Sequence, residues 1–169
     1  MPNWTANSLK ITANTPEHAA KLTELINRLN SGDETFLSGF FEYFVPSSKD
    51  DDWYDANIVT WGTKWDAAEL ILEDDNGKDY IHVTFDTAWS PPEAFYYKMT
   101  DQGYTVEATF CEQGCDFIGY YRDSKFVVEP LNGGSYHYED DDYYEKQDER
   151  ITTYFLINKF DHQPTHSGG

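Results

Sequence analysis

The groups that could do chemistry in this chain are carboxylates in consecutive runs. Asp50, Asp51 and Asp52 precede Trp53 and Tyr54, and Asp140, Asp141 and Asp142 precede Tyr143, Tyr144 and Glu145. Carboxylates gathered from separate elements hold Mg²⁺ for metal-dependent hydrolysis, usually with a Lys or His beside them. Held as a fixed array, they could instead stand where the phosphates of a nucleic acid normally lie. A run is a poor chelate by itself, because neighbouring side chains of an extended segment point to opposite faces. Neither run has the Gly and Glu spacing of a calcium loop, and a solvated stretch of charge is the ordinary outcome. No metal and no other cofactor is expected.

Other reactive groups are sparse. Cys111 and Cys115, in "FCEQGCDF", are the only cysteines; zinc would need two further donors, and C-x₃-C around a turn is a weak zinc signal. Two thiols facing each other across a hairpin fit the spacing better. His82 is the only histidine expected in the sheet; His18 falls on a helix, His137 in acidic sequence, and His162 and His166 in the tail. No Ser, His and Asp occur around a nucleophile elbow, and no glycine-rich phosphate loop is present.

The charge restricts the partners. With 31 acids against 12 bases, the formal net charge is −19, which opposes direct nucleic-acid binding because affinity there comes from Lys and Arg displacing counterions. The same field attracts a basic protein surface and speeds association with it. Acid is interleaved with tyrosine in "DDDWYD", "EDDNGKD" and "YHYEDDDYYEKQDE". Along a strand, side chains on one face recur about every 6.6 Å, so carboxylates on a rigid, aromatic-supported surface could occupy a basic channel, with tyrosine adding contact area. The plain alternative is that acidity serves solubility. Aromatics make up 17% of the chain, enough to build a core despite the charge.

The elements that must position these groups follow from pattern. "NSLKITA" alternates as a strand, and Thr15, Pro16 and Gly32 bracket a helix carrying Ala19, Leu22, Leu25, Ile26 and Leu29 at helical spacing. "FLSGFFEYFVP" reads as an aromatic strand and "SSKDDDWYDANIVT" as a loop. "WDAAELILEDDNGKDYIHVTFDTAW" reads as a hairpin of fixed register about a tight primed turn at Asn76-Gly77. In "SPPEAFYYKMTDQG", Ser90 is the expected N-cap and Pro91 the first position of a helix ended at Gly103. A hairpin about Gln113-Gly114 and the strand "KFVVEPL" follow, and "ITTYFLINKF" closes as a strand or short helix. The order predicts an α+β fold: a ferredoxin-like antiparallel sheet with two helices on one face, extended by extra hairpin strands. Its expected units are a core over 1–131, an acidic Tyr-rich segment and final element over 132–161 on the same domain, and a disordered tail over 162–169. Neither a signal peptide nor a membrane span is expected, which predicts a cytoplasmic protein.

Trp61, Trp65 and Trp89 flank the predicted hairpin; packing of the sheet is their ordinary use, and a rim for a ligand or a partner's loop is the other. Together, "MPNWTANSLKI", "NIVTWGTKWDA", "FDTAWSPPEAF" and "EATFCEQGCDFIGYY" resemble the phage and plasmid YubB-like proteins, described as having a ferredoxin-like domain. The likeness covers roughly Met1 to Tyr121, with Thr5 where the family pattern has Cys, and it does not extend to the acidic C-terminal third. The resemblance implies a home on mobile elements, where small proteins act against host defence. The function expected is therefore a non-enzymatic anti-defence protein, anti-CRISPR or anti-restriction, acting in the host cytoplasm. It would inhibit a nucleic-acid-handling complex by a DNA-mimicking surface at Asp140, Asp141, Asp142, Tyr143, Tyr144 and Glu145, and secondarily Asp50, Asp51 and Asp52. Aromatic binding without mimicry, and a metal-dependent hydrolase, are the alternatives.

Overall fold

Strand β1 (Trp4–Thr12) alternates polar and apolar side chains from Ser8 to Thr12, and so can divide that part of a sheet into two unlike faces. In the computed structural model, which describes residues 3–32, 39–131 and 141–165, it lies inside a six-stranded sheet of order β2-β3-β1-β4-β5-β6. The other strands are β2 (Ala68–Leu72), β3 (Tyr80–Ala88), β4 (Thr105–Glu112), β5 (Phe117–Arg122) and β6 (Lys125–Pro130). Every pairing is antiparallel. Leu9 lies opposite Val83 and Ala108, and Ser8 opposite Thr84 and Thr109. Opposed residues share a face, so one face collects aliphatic side chains and the other hydroxyls and imidazoles.

Helices α1 (Pro16–Asn30), α2 (Phe40–Phe44), α3 (Trp53–Trp61) and α4 (Glu93–Asp101) contribute to the apolar side. There Leu9, Ile11, Val83 and Phe85 meet Leu22 and Leu25 of α1, Phe40, Phe41 and Phe44 of α2, Trp61 of α3, and Phe95, Tyr96 and Met99 of α4. Phe41 stands 4.6 Å from Phe95 and 5.5 Å from Phe85, ring centre to ring centre. Each such side chain, fully buried, stabilises by about 1.5–3 kcal/mol. Helix α5 (Tyr143–Ile157) lies on the opposite face, where Ile151, Tyr154 and Phe155 pack with Ala6, Cys111, Ile118, Leu131 and Phe160. The α+β class with an antiparallel sheet and extra hairpin strands is observed. Helices on one face only are not, because α5 supplies a second apolar stripe that has to be covered.

Several local expectations are corrected. "FFEYF" is helix, not strand: its free backbone amides at Phe41 and Glu42 donate to the two carboxylate oxygens of Asp66, at 2.7 and 3.0 Å, a cap supplied from far along the chain. Burial pushes the Asp66 carboxyl up to about 6, against the lowering effect of those amides. The segment read as an acidic loop contains α3, which ends at Gly62 with φ +88°; a Cβ there would come within 3.0 Å of Glu93 N. Ser90 does not cap α4. Its hydroxyl donates to Gly62 O, and Pro92 holds the cap position without a side-chain bond. The β2–β3 connection is not a two-residue primed turn, since it runs from 73 to 79 and neither Asn76 nor Gly77 has positive φ. Asn76 instead accepts from His82 N at 2.7 Å, and the β2 register shifts between Ala68 and Ile71. The paired left-handed residues of a tight hairpin are Asp123 (φ 54°) and Ser124 (φ 61°), joining β5 to β6. Thr15 and Gly103 behave as expected: Thr15 Oγ1 accepts from His18 N, and Gly103 has φ +97° beyond α4.

Candidate partner-binding surface and buried polar cluster

The second acidic run leads into α5. Asp140 lies outside the described residues. Asp141 and Asp142 form the turn before the helix, and Asp141, Asp142, Tyr144, Glu145, Asp148 and Glu149 are all exposed. The expected strand spacing is therefore replaced by helical spacing, in which residues three and four apart share a face. The helix is held from below: Gln147 is fully buried and donates to Tyr143 Oη at 2.9 Å, while Ile151, Tyr154 and Phe155 sit in the core. Lys146 pairs with Asp142 at 3.3 Å. Carboxylates before and in the first turn suit the positive end of the helix.

The first run lies elsewhere. Asp50, Asp51 and Asp52 are exposed in the turn opening α3, where Ser48 Oγ donates to Asp52 Oδ1 at 2.8 Å. Because α3 and α5 pack on opposite faces of the sheet, the structure does not join the two runs into one surface. Around the first run the exposed groups are aromatic and aliphatic: Trp53, Tyr54, Ile58 and Val59. Lys64 Nζ stands 5.2 Å from the Tyr54 ring and 4.5 Å from that of Trp65, which lies 6.1 Å from Trp4. The three tryptophans first considered together divide. Trp61 is core, its indole donating to Val45 O at 2.7 Å, whereas Trp65 and Trp89 are 39% and 52% exposed. Trp89 has φ 69°, a conformation that costs a bulky residue on the order of 1–3 kcal/mol and must be held by its surroundings.

The polar face contains a cluster that sequence reasoning missed. Ser8 Oγ lies 2.8 Å from His82 Nε2 and 2.8 Å from His162 Nδ1, and His82 Nδ1 lies 2.8 Å from Asp75 Oδ1. Burial, the largest single effect on Asp75, raises its carboxyl, but the hydrogen bond and charge of His82 and the nearby Lys10 together hold it below the usual value. Burial, and then the neighbouring His82, push His162 down to about 4. Ser, His and Asp in this order invite comparison with a hydrolytic triad. Here, however, Ser8 is wholly buried on a strand paired on both sides, with His162 against its hydroxyl. The ladders use the neighbouring backbone amides, so they are not free to stabilise an oxyanion. The arrangement pins the segment after α5 onto the sheet. The available signal was the recurrence of polar types, Ser8, His82, Thr84 and Thr109, at sheet positions expected to face inward.

The cysteines do not face each other. Cys111 is buried opposite Ile118, burial pushing its thiol up to about 12, while Cys115 is exposed in the following turn and its sulfur accepts from Asn3 Nδ2 at 3.1 Å. Among the described residues no three His, Cys, Asp or Glu side chains come together as a metal site, and no helix is long and apolar enough to cross a membrane.

Comparison with known proteins gives one informative likeness. Over 103 residues the chain is 31% identical to the protein described as "Uncharacterized protein YubB" of Escherichia coli (strain K12), covering 60% of this chain and 67% of that one. No family model and no solved structure matches the chain.

Proposed function

The chain belongs to the YubB-like family, and from that premise we propose that it is a non-enzymatic anti-defence protein of phage or plasmid origin. It acts in the host cytoplasm, binding and inhibiting a nucleic-acid-handling complex, CRISPR or restriction, through the carboxylates of α5. The strand order β2-β3-β1-β4, with helices in both crossovers, fits the ferredoxin-like domain ascribed to the family.

One observation carries the reading, the charge density of the exposed face of α5. Asp141, Asp142, Glu145, Asp148 and Glu149, five carboxylates less the one ammonium of Lys146, fall within eight residue steps. Eight steps are about 12 Å of helix axis, so the net density is about one negative charge per 3 Å. Duplex DNA carries one per about 1.7 Å and each strand one per about 3.4 Å. A groove lined with Lys and Arg meets comparable charge on a support already ordered by the core beneath it.

The test is inhibition of target cleavage by CRISPR and restriction nucleases in vitro at a series of salt concentrations. Mimicry predicts inhibition that falls steeply with salt and is lost in the triple reversal D141K/D142K/E145K, with circular dichroism unchanged. Undiminished inhibition by that variant sinks the assignment of this surface. A second reading is favoured by the exposed Trp53, Tyr54, Trp65 and Trp89: a partner held by aromatics, with weak salt dependence, insensitive to the reversal but lost in W53A/W65A. Hydrolysis, the third alternative, would show as activity abolished by EDTA and restored by Mg²⁺ or Mn²⁺.

A further inference from the structure

The sheet ends in two edge strands, β2 and β6, and they are defended unequally. An unpaired edge invites pairing with another chain, and proteins blunt it with bulges, charges or short strands. β2 is interrupted by the register shift between Ala68 and Ile71, with Glu69 in the left-handed region at φ 51°. β6 pairs with β5 without interruption from Lys125 to Pro130 and carries Phe126, Val127 and Val128 in succession.

The phase of that pairing decides what the β6 edge offers. The tight turn at Asp123 and Ser124 makes Arg122 and Lys125 a hydrogen-bonded pair, and such pairs alternate along the ladder with non-bonded ones. Leu131 N, which donates to Asp116 O at 3.1 Å, continues the same alternation. Phe126 and Val128 therefore turn their N–H and C=O groups away from β5, where among the described residues nothing pairs with them. Pro130 has no N–H to offer, and its carbonyl accepts from Arg150 Nη2 at 3.2 Å. Open space flanks the edge on both faces. A cavity of about 590 Å³ is lined by Val127, Glu129 and α5, and one of about 480 Å³ by Phe126, Val128 and residues of α3 and α4. An added strand, whose side chains alternate between faces, finds room on each.

We propose that the β6 edge binds the β6 edge of a second copy of this chain, antiparallel and centred on Val127. In this register Phe126 lies opposite Val128 of the second copy, and each of these residues both donates and accepts, so that no outward group is left over. Lys125 lies opposite Glu129 of the second copy, in a non-hydrogen-bonded pair, where side chains stand closest. Moving the centre by one residue in either direction loses both of these ion pairs. The charge of the strand is thus complementary to itself in one register only. Both α5 helices then lie on one side of a continuous sheet. The inference rests on β6 and not on the inhibitor reading.

The test is sedimentation of the full chain over a concentration series. Small interfaces are weak ones, so half-dimerisation is expected at about 10–100 μM. It should strengthen as salt screens the repulsion between two chains of net charge −19. Val128→Pro replaces an outward N–H, so the ladder to β5 and the melting temperature should be kept while dimerisation is lost. Lys125→Glu and Glu129→Lys, both at exposed positions, should each weaken self-association at least about tenfold, because like charges then stand opposite. An equimolar mixture of these two variants should pair as tightly as the parent, since each supplies the charge that the other needs. Sedimentation that does not change with concentration, undiminished dimerisation of a folded Val128→Pro, or a mixture that associates no better than its components each overturns the proposal. If Val128→Pro does not fold, the mixture decides.

Discussion

The two faces of the sheet are made by alternate residues of the same strands, yet they are stabilised differently. The face under α1–α4 is the drier: its buried groups are mainly Phe, Leu, Ile and Val in edge-to-face and tilted ring contacts, with Asn7 and Thr87 hydrogen-bonded to each other at one end. The face under α5 is divided between a smaller apolar cluster and the Ser8, His82 and His162 group. On the first face stability rests mainly on volume and area, which are indifferent to pH, the Asp66 cap of α2 being the exception. On the second it depends on hydrogen bonds between titratable groups, which makes that face the place where solution conditions act. The proposed acidic surface lies on this second, more conditional side.

The comparison is broken most severely by emptying the dry face. Phe85→Ala removes a ring with 1% exposure, for which about 3–5 kcal/mol is expected. Urea denaturation should show that loss at every pH tested. A loss that changed with pH would mean that the apolar face is not independent of the polar one.

Next in size are two titrations of opposite sign. His162 is depressed from 6.5 to about 4, so its contribution is complete above 6.5 and is lost as pH falls through about 4. Asp66 is raised from 3.8 to about 6, so its contribution is complete below 3.8 and is lost as pH rises through about 6. Each is worth at most about 3 kcal/mol. Relative to the parent, His162→Gln should gain stability as pH falls through its window, and Asp66→Asn as pH rises through its own. Parallel stability curves for parent and variants would remove both assignments. The Asp66 effect places one titratable group at the edge of the dry side, where it caps α2.

Ser8→Ala sharpens the comparison further. It leaves two imidazole nitrogens, His82 Nε2 and His162 Nδ1, without their shared partner, at a cost of about 1–3 kcal/mol. The His162 ring should then show faster hydrogen exchange in its neighbourhood and a titration nearer the ordinary histidine value. A variant as stable as the parent, with His162 titrating as before, would show that the segment after α5 is held without the Ser8 bond, by contacts such as those of Phe160 and Arg122.

What was legible in the sequence follows the same division. Periodicity identified β1, α1, α4 and the β4–β5 hairpin because each carries its own pattern and its own stops, such as Thr15 and Gly103. It failed for α2, where five residues rich in phenylalanine resemble a strand and the deciding contact, Asp66, lies more than twenty positions away. It failed for α3 because three aspartates suggested a loop, although Gly62 marked a helix end. The acidic residues of the candidate surface were visible, but their spacing was not, since α5 begins inside the charged run. For the Ser8 cluster the sequence offered its polar residue types but not their pairing: Ser8 and His82 are 74 positions apart, and only strand pairing brings them together.

The smallest expected effect concerns α5 itself and separates its binding role from its structural one. Glu145, Asp148 and Glu149 are exposed, and Glu145 lies in the first turn, where a negative charge suits the helix dipole. Glu145→Lys should therefore cost about 0.3–1 kcal/mol, and Asp148→Lys, further along the helix, within about 0.5 kcal/mol of nothing. If the acidic face exists to meet a basic groove, these nearly silent changes in stability must still weaken inhibition strongly, and more so at low salt than at high, because the interaction removed is the screened one. Stability and inhibition falling together in proportion would instead assign the carboxylates to the fold.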